Sequence, residues 1–517
     1  MSSTTPHRPL WRVENLRGDV FPWVIALVTG LDYFDNAIFS FFASYIAGGI
    51  NASPDELVWS SSAYAMTAIL GILGQQWWID RVGHRRYVVG CMMLYAAGAI
   101  ASTLADTALQ LAFARAFQGY FIGPMMGACR ILIQITYPPA KRPPATRAFL
   151  VMLLLGTSLA PIAGGTLVAH FTWRALFACT APLAIVFGAL AYLALPDSGH
   201  LPPQERTNTH IWPYVVFAFA QAALQVVLQQ VRYHLFLASP PLILLTAASL
   251  VALAWFASHQ STHDAPLVRL SPFRHRGFQI GLLLYLFYYY ITTAFSYLSS
   301  RFLEAGLGYP VENSGRLVGT TSLIASSTLF IYLRYSKRIS HKKWFIVPGF
   351  MLAAFAAIWM TRMSPDVGET ALLPPLLIRG VLLLFIVLPV ANLTFSHFAL
   401  DEYTHSYRLK NIFKQLTLSF ATATVIILEQ HRDALHRTRL FEQANVFNPL
   451  FNQSVEALER GFAAAGHASD AHALALASLS QTIARQAAFL TSIDGFTFLA
   501  GVAICGGLIA AWQKAID

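Results

Sequence analysis

The sequence predicts an all-α integral membrane protein with fourteen spans, arranged as six, then two, then six. Three observations carry this. The chain has 517 residues, of which 56% are hydrophobic and only 12% charged, whereas a soluble domain is about 25% charged. Apolar runs of about 18 to 25 residues recur throughout, each long enough to cross about 30 Å of hydrocarbon. Basic residues concentrate on alternate loops. Each span must be helical, because lipid offers no partner for open backbone groups.

The first six spans are expected near 21–46, 57–79, 87–104, 108–133, 147–168 and 175–195. Two more are expected near 211–231 and 240–258, and the last six near 277–298, 312–333, 344–361, 372–394, 412–428 and 489–511. The loops of one side hold Arg81, Arg85, Arg86, Lys141, Arg142, Arg147, Arg274, Arg276, Arg408 and Lys410, among others. The short loops of the other side hold only Arg174, Arg232, Arg301 and Arg362. That asymmetry is the signature of positive-inside topology, and it places both termini in the cytoplasm. The formal charge of +10 is therefore a topology signal and not a nucleic-acid footprint. Residues 429–488 are polar and mostly helix-forming, with breaks expected at Pro449 and Gly466-His467, and would lie outside the cytoplasm. The four cysteines fall inside apolar runs without metal spacing.

Span 1 contains LDYFDNAIFSFF, with Asp32 and Asp35 three residues apart. Ionisable residues in a span are expensive and mark function by default. Counting rise per residue puts Asp35 and Arg115 of span 4 at about the same depth, roughly 10 Å from the outer end of span 4. Arg379 of span 12 comes out at a similar depth. Two carboxylates in a dry site repel, and a nearby guanidinium offsets that repulsion. Such a trio suits proton exchange during a transport cycle, with a static ion pair that fixes helix packing as the alternative. Arg130 near the inner boundary is expected to snorkel. Asp494 at the start of the last span reads as a helix cap or a binding residue. LLLYLFYYYITTAF at 282–295 puts Tyr288, Tyr289 and Tyr290 in one span, where each hydroxyl wants a partner. With Gln118 and Arg379 they are candidates for a substrate cavity, packing or interface anchoring being the alternative.

No phosphate loop of the ATPase type is present, and HRD at 431–433 has no kinase partner motif. No catalytic constellation emerges, so an intramembrane enzyme or receptor is disfavoured and no metal site is expected. Several motifs occur in order: GQQWWIDRVGHRR (74–86), LAFARAFQGYFIGPMMG (111–127), YPPAKRPPATRAF (137–149), GTSLAPIAGG (156–165) and HFTWRALF (170–177). Together with LGYPVENSGRL (307–317) and RQAAFLTSIDGFTFLAG (485–501), they resemble the major facilitator superfamily, in particular the fourteen-span EmrB/QacA-type drug:proton antiporters. Three departures bear on substrate and coupling: Gln76 stands where Gly is usual, Ala160 precedes Pro161 in place of Gly, and LDYFDNA replaces the usual span 1 continuation.

The resemblance implies two six-helix bundles, 1–195 and 277–428 with 489–517, flanking an inserted helix pair within 196–276, with 429–488 outside the cytoplasm. It implies a gating motif of Asp80, Arg81, Gly83, Arg85 and Arg86. It also implies an antiporter motif of Gly156, Pro161, Gly164 and Gly165 that seals the two bundles together. The activity implied is proton-coupled export of drugs or toxic compounds across an inner membrane, with the proton as coupling ion and no other cofactor. A periplasmic adaptor and an outer-membrane channel are the partners such a pump would take. Export of a dedicated metabolite, such as an aromatic acid or siderophore, stays open on the same fold.

Overall fold

The computed structural model describes residues 17–138, 141–196, 211–230, 239–263, 266–335, 342–395, 398, 400–445 and 447–513, and these contain helices and turns but no strand. The helices run α1 (Arg17–Phe41), α2 (Ala43–Gly49), α3 (Pro54–Val82), α4 (His84–Thr103), α5 (Ala108–Ile122), α6 (Met125–Thr136) and α7 (Arg142–His170). They continue α8 (Ala175–Ala178), α9 (Thr180–Ala194), α10 (Ile211–Gln230), α11 (Pro240–Thr262), α12 (Arg276–Arg301) and α13 (Val311–Tyr335). The chain finishes with α14 (Lys343–Thr361), α15 (Glu369–Leu382), α16 (Leu388–Phe395), α17 (Leu400–Gln443), α18 (Pro449–Ala464) and α19 (Ala471–Trp512).

Among the described residues, twelve helices are long and apolar enough to cross a membrane, not the fourteen expected. The expected spans near 87–104 and 108–133 are the two that fall short. The first becomes α4, which opens on His84, Arg85 and Arg86 and is diluted by small and hydroxyl residues. The second breaks at Gly123-Pro124 into α5 and α6, of 15 and 12 residues. Pro124 cannot donate the backbone bond that would carry one helix into the next.

Local chemistry fixes several boundaries. Ser53 and Glu56 form a reciprocal capping box at the start of α3: the Glu56 N–H donates to Ser53 Oγ at 3.2 Å, and the Ser53 N–H to Glu56 Oε2 at 2.8 Å. Gly83 separates α3 from α4 at φ +81°, a conformation that side-chain-bearing residues resist. The long polar stretch 429–488 is not a separate unit. Helix α17 has 44 residues and continues past the expected end of its span to Gln443, so it is about 66 Å long. Helix α18 starts at Pro449 behind an Asn448 cap, and α19 begins at Ala471, soon after Gly466 at φ +94°.

Helices α1, α7 and α9 pack together, as do α3, α4 and α5. Helices α12, α13, α14, α15, α17 and α19 form a second set, linked by the pairs α12–α17, α12–α19, α13–α15, α14–α15, α14–α19 and α17–α19. Helix α10 pairs with α11 and leans on α3, where Gln221 Nε2 donates to the Met66 carbonyl at 2.7 Å and Gln229 Nε2 to Ser62 Oγ at 2.8 Å. The two sets meet along two seams, α7 with α13 and α3 with α17. The first seam depends on small residues. A Cβ on Gly315 would collide with the Pro161 carbonyl, and one on Gly165 would crowd the backbone of Val311 and Glu312. The other face of α7 is equally close to α1, where a Cβ on Gly156 would sit 2.5 Å from the Gly30 carbonyl, and Gly164 lies against the Phe42 ring.

Candidate functional site

The acids of α1 and the arginine of α5 meet in the interior. Arg115 Nη1 lies 2.7 Å from Asp35 Oδ2, and both side chains are 1% exposed. The same nitrogen donates to Gln118 Oε1 at 3.1 Å, and Ser102 Oγ donates to that oxygen at 3.0 Å. The guanidinium also stacks over the rings of Tyr64 and Phe39, at 4.3 and 4.6 Å, as planar cations do on aromatic faces.

Asp32 is held differently. Its Oδ1 accepts from the Tyr64 hydroxyl and from Asn36 Nδ2, both at 2.9 Å. Its Oδ2 has no hydrogen-bond partner among the described residues, and the nearest cation is Lys414 Nζ at 3.8 Å. So Asp35 is tightly ion-paired to Arg115 and Asp32 is paired more loosely to Lys414, while Asp32 Oδ2 and Asp35 Oδ1 each lack a hydrogen-bond partner among the described residues. Lys414 is an addition to the expected site. It lies on α17, with its ammonium 4.3 Å from the Tyr33 ring.

A cavity of about 230 Å³ adjoins this cluster, lined by Arg115, Tyr288, Tyr289, Arg379 and Lys414 together with Pro161. A second cavity of about 560 Å³ lies next to it, sharing Tyr33, Tyr288 and Tyr289 and adding Arg130, Tyr285, Tyr407 and Lys410. Arg379 Nη2 donates to Ser296 Oγ at 3.0 Å. Tyr290 turns away from both cavities, with its hydroxyl 2.7 Å from Thr424 Oγ1 and its ring against Phe420. Gln118 is fully buried behind Arg115 and lines neither cavity.

Three further expectations change. Arg130 does not snorkel: its Nη1 donates to Thr146 Oγ1 at 2.8 Å and its Nε to the Tyr403 hydroxyl at 3.3 Å, on the cavity wall. Lys410 is not on a loop but on α17, where it is buried. Asp494 is no cap, since it lies well inside α19 and accepts from Arg432 Nε and pairs with His436 Nε2, each at 2.6 Å. Lys414 carries a sequence signal that a hydropathy reading passes over. Tyr403, Tyr407, Lys410 and Lys414 are spaced four, three and four apart, which places all of them on one helix face.

The turn between α3 and α4 joins the two sets of helices. Gln76 Nε2 donates to Asp80 Oδ1 at 2.6 Å, and Gln76 Oε1 accepts from Arg408 Nη2 of α17. The residue that replaces the usual glycine thus links Asp80 to the opposite half. Arg81 packs over Trp77 at 3.8 Å, Arg85 lies over Tyr192 at 4.0 Å, and Arg86 is exposed.

A membrane-embedded helical protein with a polar cavity between two helix sets, and buried charges on its wall, has the build of a secondary transporter. The Major Facilitator Superfamily model matches residues 25–422, and the chain belongs to that family. It is a secondary-active transporter that works by alternating access. Membership of a transporter family agrees with the expectation that the chain is not an enzyme. Among relatives, the probable multidrug resistance protein EmrY of Escherichia coli is 22% identical over 437 residues, spanning 84% of this chain and 85% of that protein. The fatty acid resistance protein FarB of Neisseria gonorrhoeae is also 22% identical, over 94% of both chains. The fold is shared with the inward-facing structure of a bacterial homolog of the human lysosomal transporter Spinster. The TM-score is 0.60 at 13% identity, over 97% of this chain and all of that one. Among the described residues no cluster of His, Cys, Asp and Glu could hold a metal ion.

Proposed function

We propose that the chain exports small amphipathic compounds across an inner membrane in exchange for protons, with both termini cytoplasmic. The observation that carries this is the asymmetry of the buried acids. Asp35 is locked to Arg115 at 2.7 Å by a hydrogen-bonded ion pair, while Asp32 Oδ2 has only the looser pair with Lys414 at 3.8 Å and no hydrogen bond among the described residues. Asp32 is the coupling acid in this reading, and Asp35 with Arg115 holds the charge environment around it. The helix sets before and after α10 and α11 act as the two rocking bundles. The small residues of α7 serve as the seal between them, and Asp80, Gln76 and Arg408 as the latch at the α3–α17 seam.

Relatives named for multidrug and fatty acid resistance support an export role for this chain. The α17–α18–α19 extension offers a surface for a periplasmic adaptor, and through it an outer-membrane channel. Everted vesicles containing the protein, energised to form a pH gradient, test the export reading. Addition of a transported compound should collapse the gradient, and no collapse with any compound of a chemically broad panel would remove it. A gene deletion scored for both drug sensitivity and secreted compounds separates multidrug export from export of one metabolite.

A further inference from the structure

Among the described residues, the larger cavity has charge of one sign only. Arg130, Arg142 and Lys410 line it, and no described aspartate or glutamate does. Arg142 is committed to the carbonyls of Tyr137 and Gln134, each at 2.9 Å. Among the described residues, Arg130 donates only to the neutral oxygens of Thr146 and Tyr403. Lys410 is 2% exposed, and its ammonium faces the rings of Tyr407, Tyr285 and Tyr289 at 4.4, 5.6 and 6.0 Å. It forms no ion pair with any carboxylate among the described residues. One turn further along α17, Lys414 lines the adjoining cavity and pairs with Asp32 at 3.8 Å, so a single helix face carries one lysine to each cavity and only Lys410 lacks a carboxylate partner among the described residues.

Burying an ammonium is costly unless an anion or equivalent partner compensates it, and ring faces return only part of that cost. A cavity wall with cations, no acids and this burial is complementary to a negatively charged ligand. The apolar half of the ligand is specified as well. Tyr285 and Tyr289 stack with their planes 12° apart, and Tyr403 and Tyr407 with theirs 19° apart, each pair on its own helix bordering the cavity. These flat faces suit an aromatic body.

We propose that the cavity binds an aromatic monocarboxylate, with its carboxylate between Lys410 and Arg130 and its ring against the tyrosines of α12 and α17. The proposal rests on the export reading only for the direction of movement, because binding is a separate measurement. A neutral or cationic drug would leave the lysine uncompensated, so affinity should follow charge more than size.

The test uses the full chain in nanodiscs with tritiated 1-naphthoate, against the neutral isostere 1-naphthamide and a naphthyl trimethylammonium cation. Naphthoate should bind at least about ten-fold more tightly than either competitor. Lys410→Met should weaken naphthoate about ten-fold while moving naphthamide less than about two-fold, and Lys410→Arg should restore most of the loss. Thermal melting of each variant establishes that it is folded. Equal affinity for the amide or the cation, or naphthoate binding unchanged by Lys410→Met, would overturn the proposal. Naphthoate binding without gradient-driven flux of any compound would uphold the anion site and remove the export reading. Flux of cations without naphthoate binding would do the reverse.

Discussion

Replacing Arg115 with Met tests how the charge cluster is balanced. The substitution keeps the volume of the side chain and removes its charge, leaving Asp35 buried with no counter-ion at its Oδ2. At the observed 2.7 Å separation, the gross attraction is about 6 kcal/mol at an effective dielectric of 20. Much of this is offset by the desolvation of both groups in the wild type, but the single variant still pays desolvation for Asp35. Breaking a buried pair from one side costs about 3–5 kcal/mol. The double variant Asp35→Asn with Arg115→Met removes both charges and should recover most of that loss. Unfolding in mixed micelles, followed by circular dichroism, measures all four corners of the cycle. A single variant within about 1 kcal/mol of wild type, or a double variant no better than the worse single, would refute the claim that the pair is mutually compensating.

Other expectations follow from the same contacts. Gly156→Ala should destabilise by about 1–3 kcal/mol, because the new methyl meets the Gly30 carbonyl of α1; melting in detergent reads this. Gly83→Ala should cost about 1–3 kcal/mol, because φ +81° with ψ +158° is a conformation essentially confined to glycine, and vesicle transport should fall with it, with Gly83→Asn giving no rescue. Tyr290→Phe should lose only the Thr424 bond, about 1 kcal/mol of stability, and leave transport within about two-fold. Tyr289→Ala should impair transport while the protein stays folded, and transport by vesicles separates the two tyrosines. Gln76→Gly should cut the link from Asp80 to Arg408 and raise the labelling of a cysteine placed at the α3–α17 seam.

The charged core was legible where chemistry and depth coincide. An acid within an apolar run is conspicuous, and rise per residue puts Arg115 level with Asp35. The same arithmetic says nothing about rotation, so it does not separate Asp32 from Asp35 or tell that Gln118 lies behind the arginine. Tyr288, Tyr289 and Tyr290 are adjacent in sequence and point about 100° apart on a helix; composition cannot tell which of them meets the cavity. The lysines of α17 were hidden for a different reason. LDEYTHSYRLKNIFK is polar enough to read as loop and early span, and only tertiary packing buries it. Its Tyr-Tyr-Lys-Lys stripe was the available clue. The count of spans failed at α4 and at Gly123-Pro124, where apolar content is a property of the window and helix continuity depends on one proline.

The central claim is that Asp32 exchanges a proton during transport. The most direct measurement compares Asp32→Asn with wild type in proteoliposomes, scoring substrate counterflow without a gradient and uphill transport driven by a pH gradient. Counterflow should persist in the variant while gradient-driven accumulation disappears. An Asp32→Asn protein that accumulates substrate against its gradient as well as wild type, with the same pH dependence, would contradict the account.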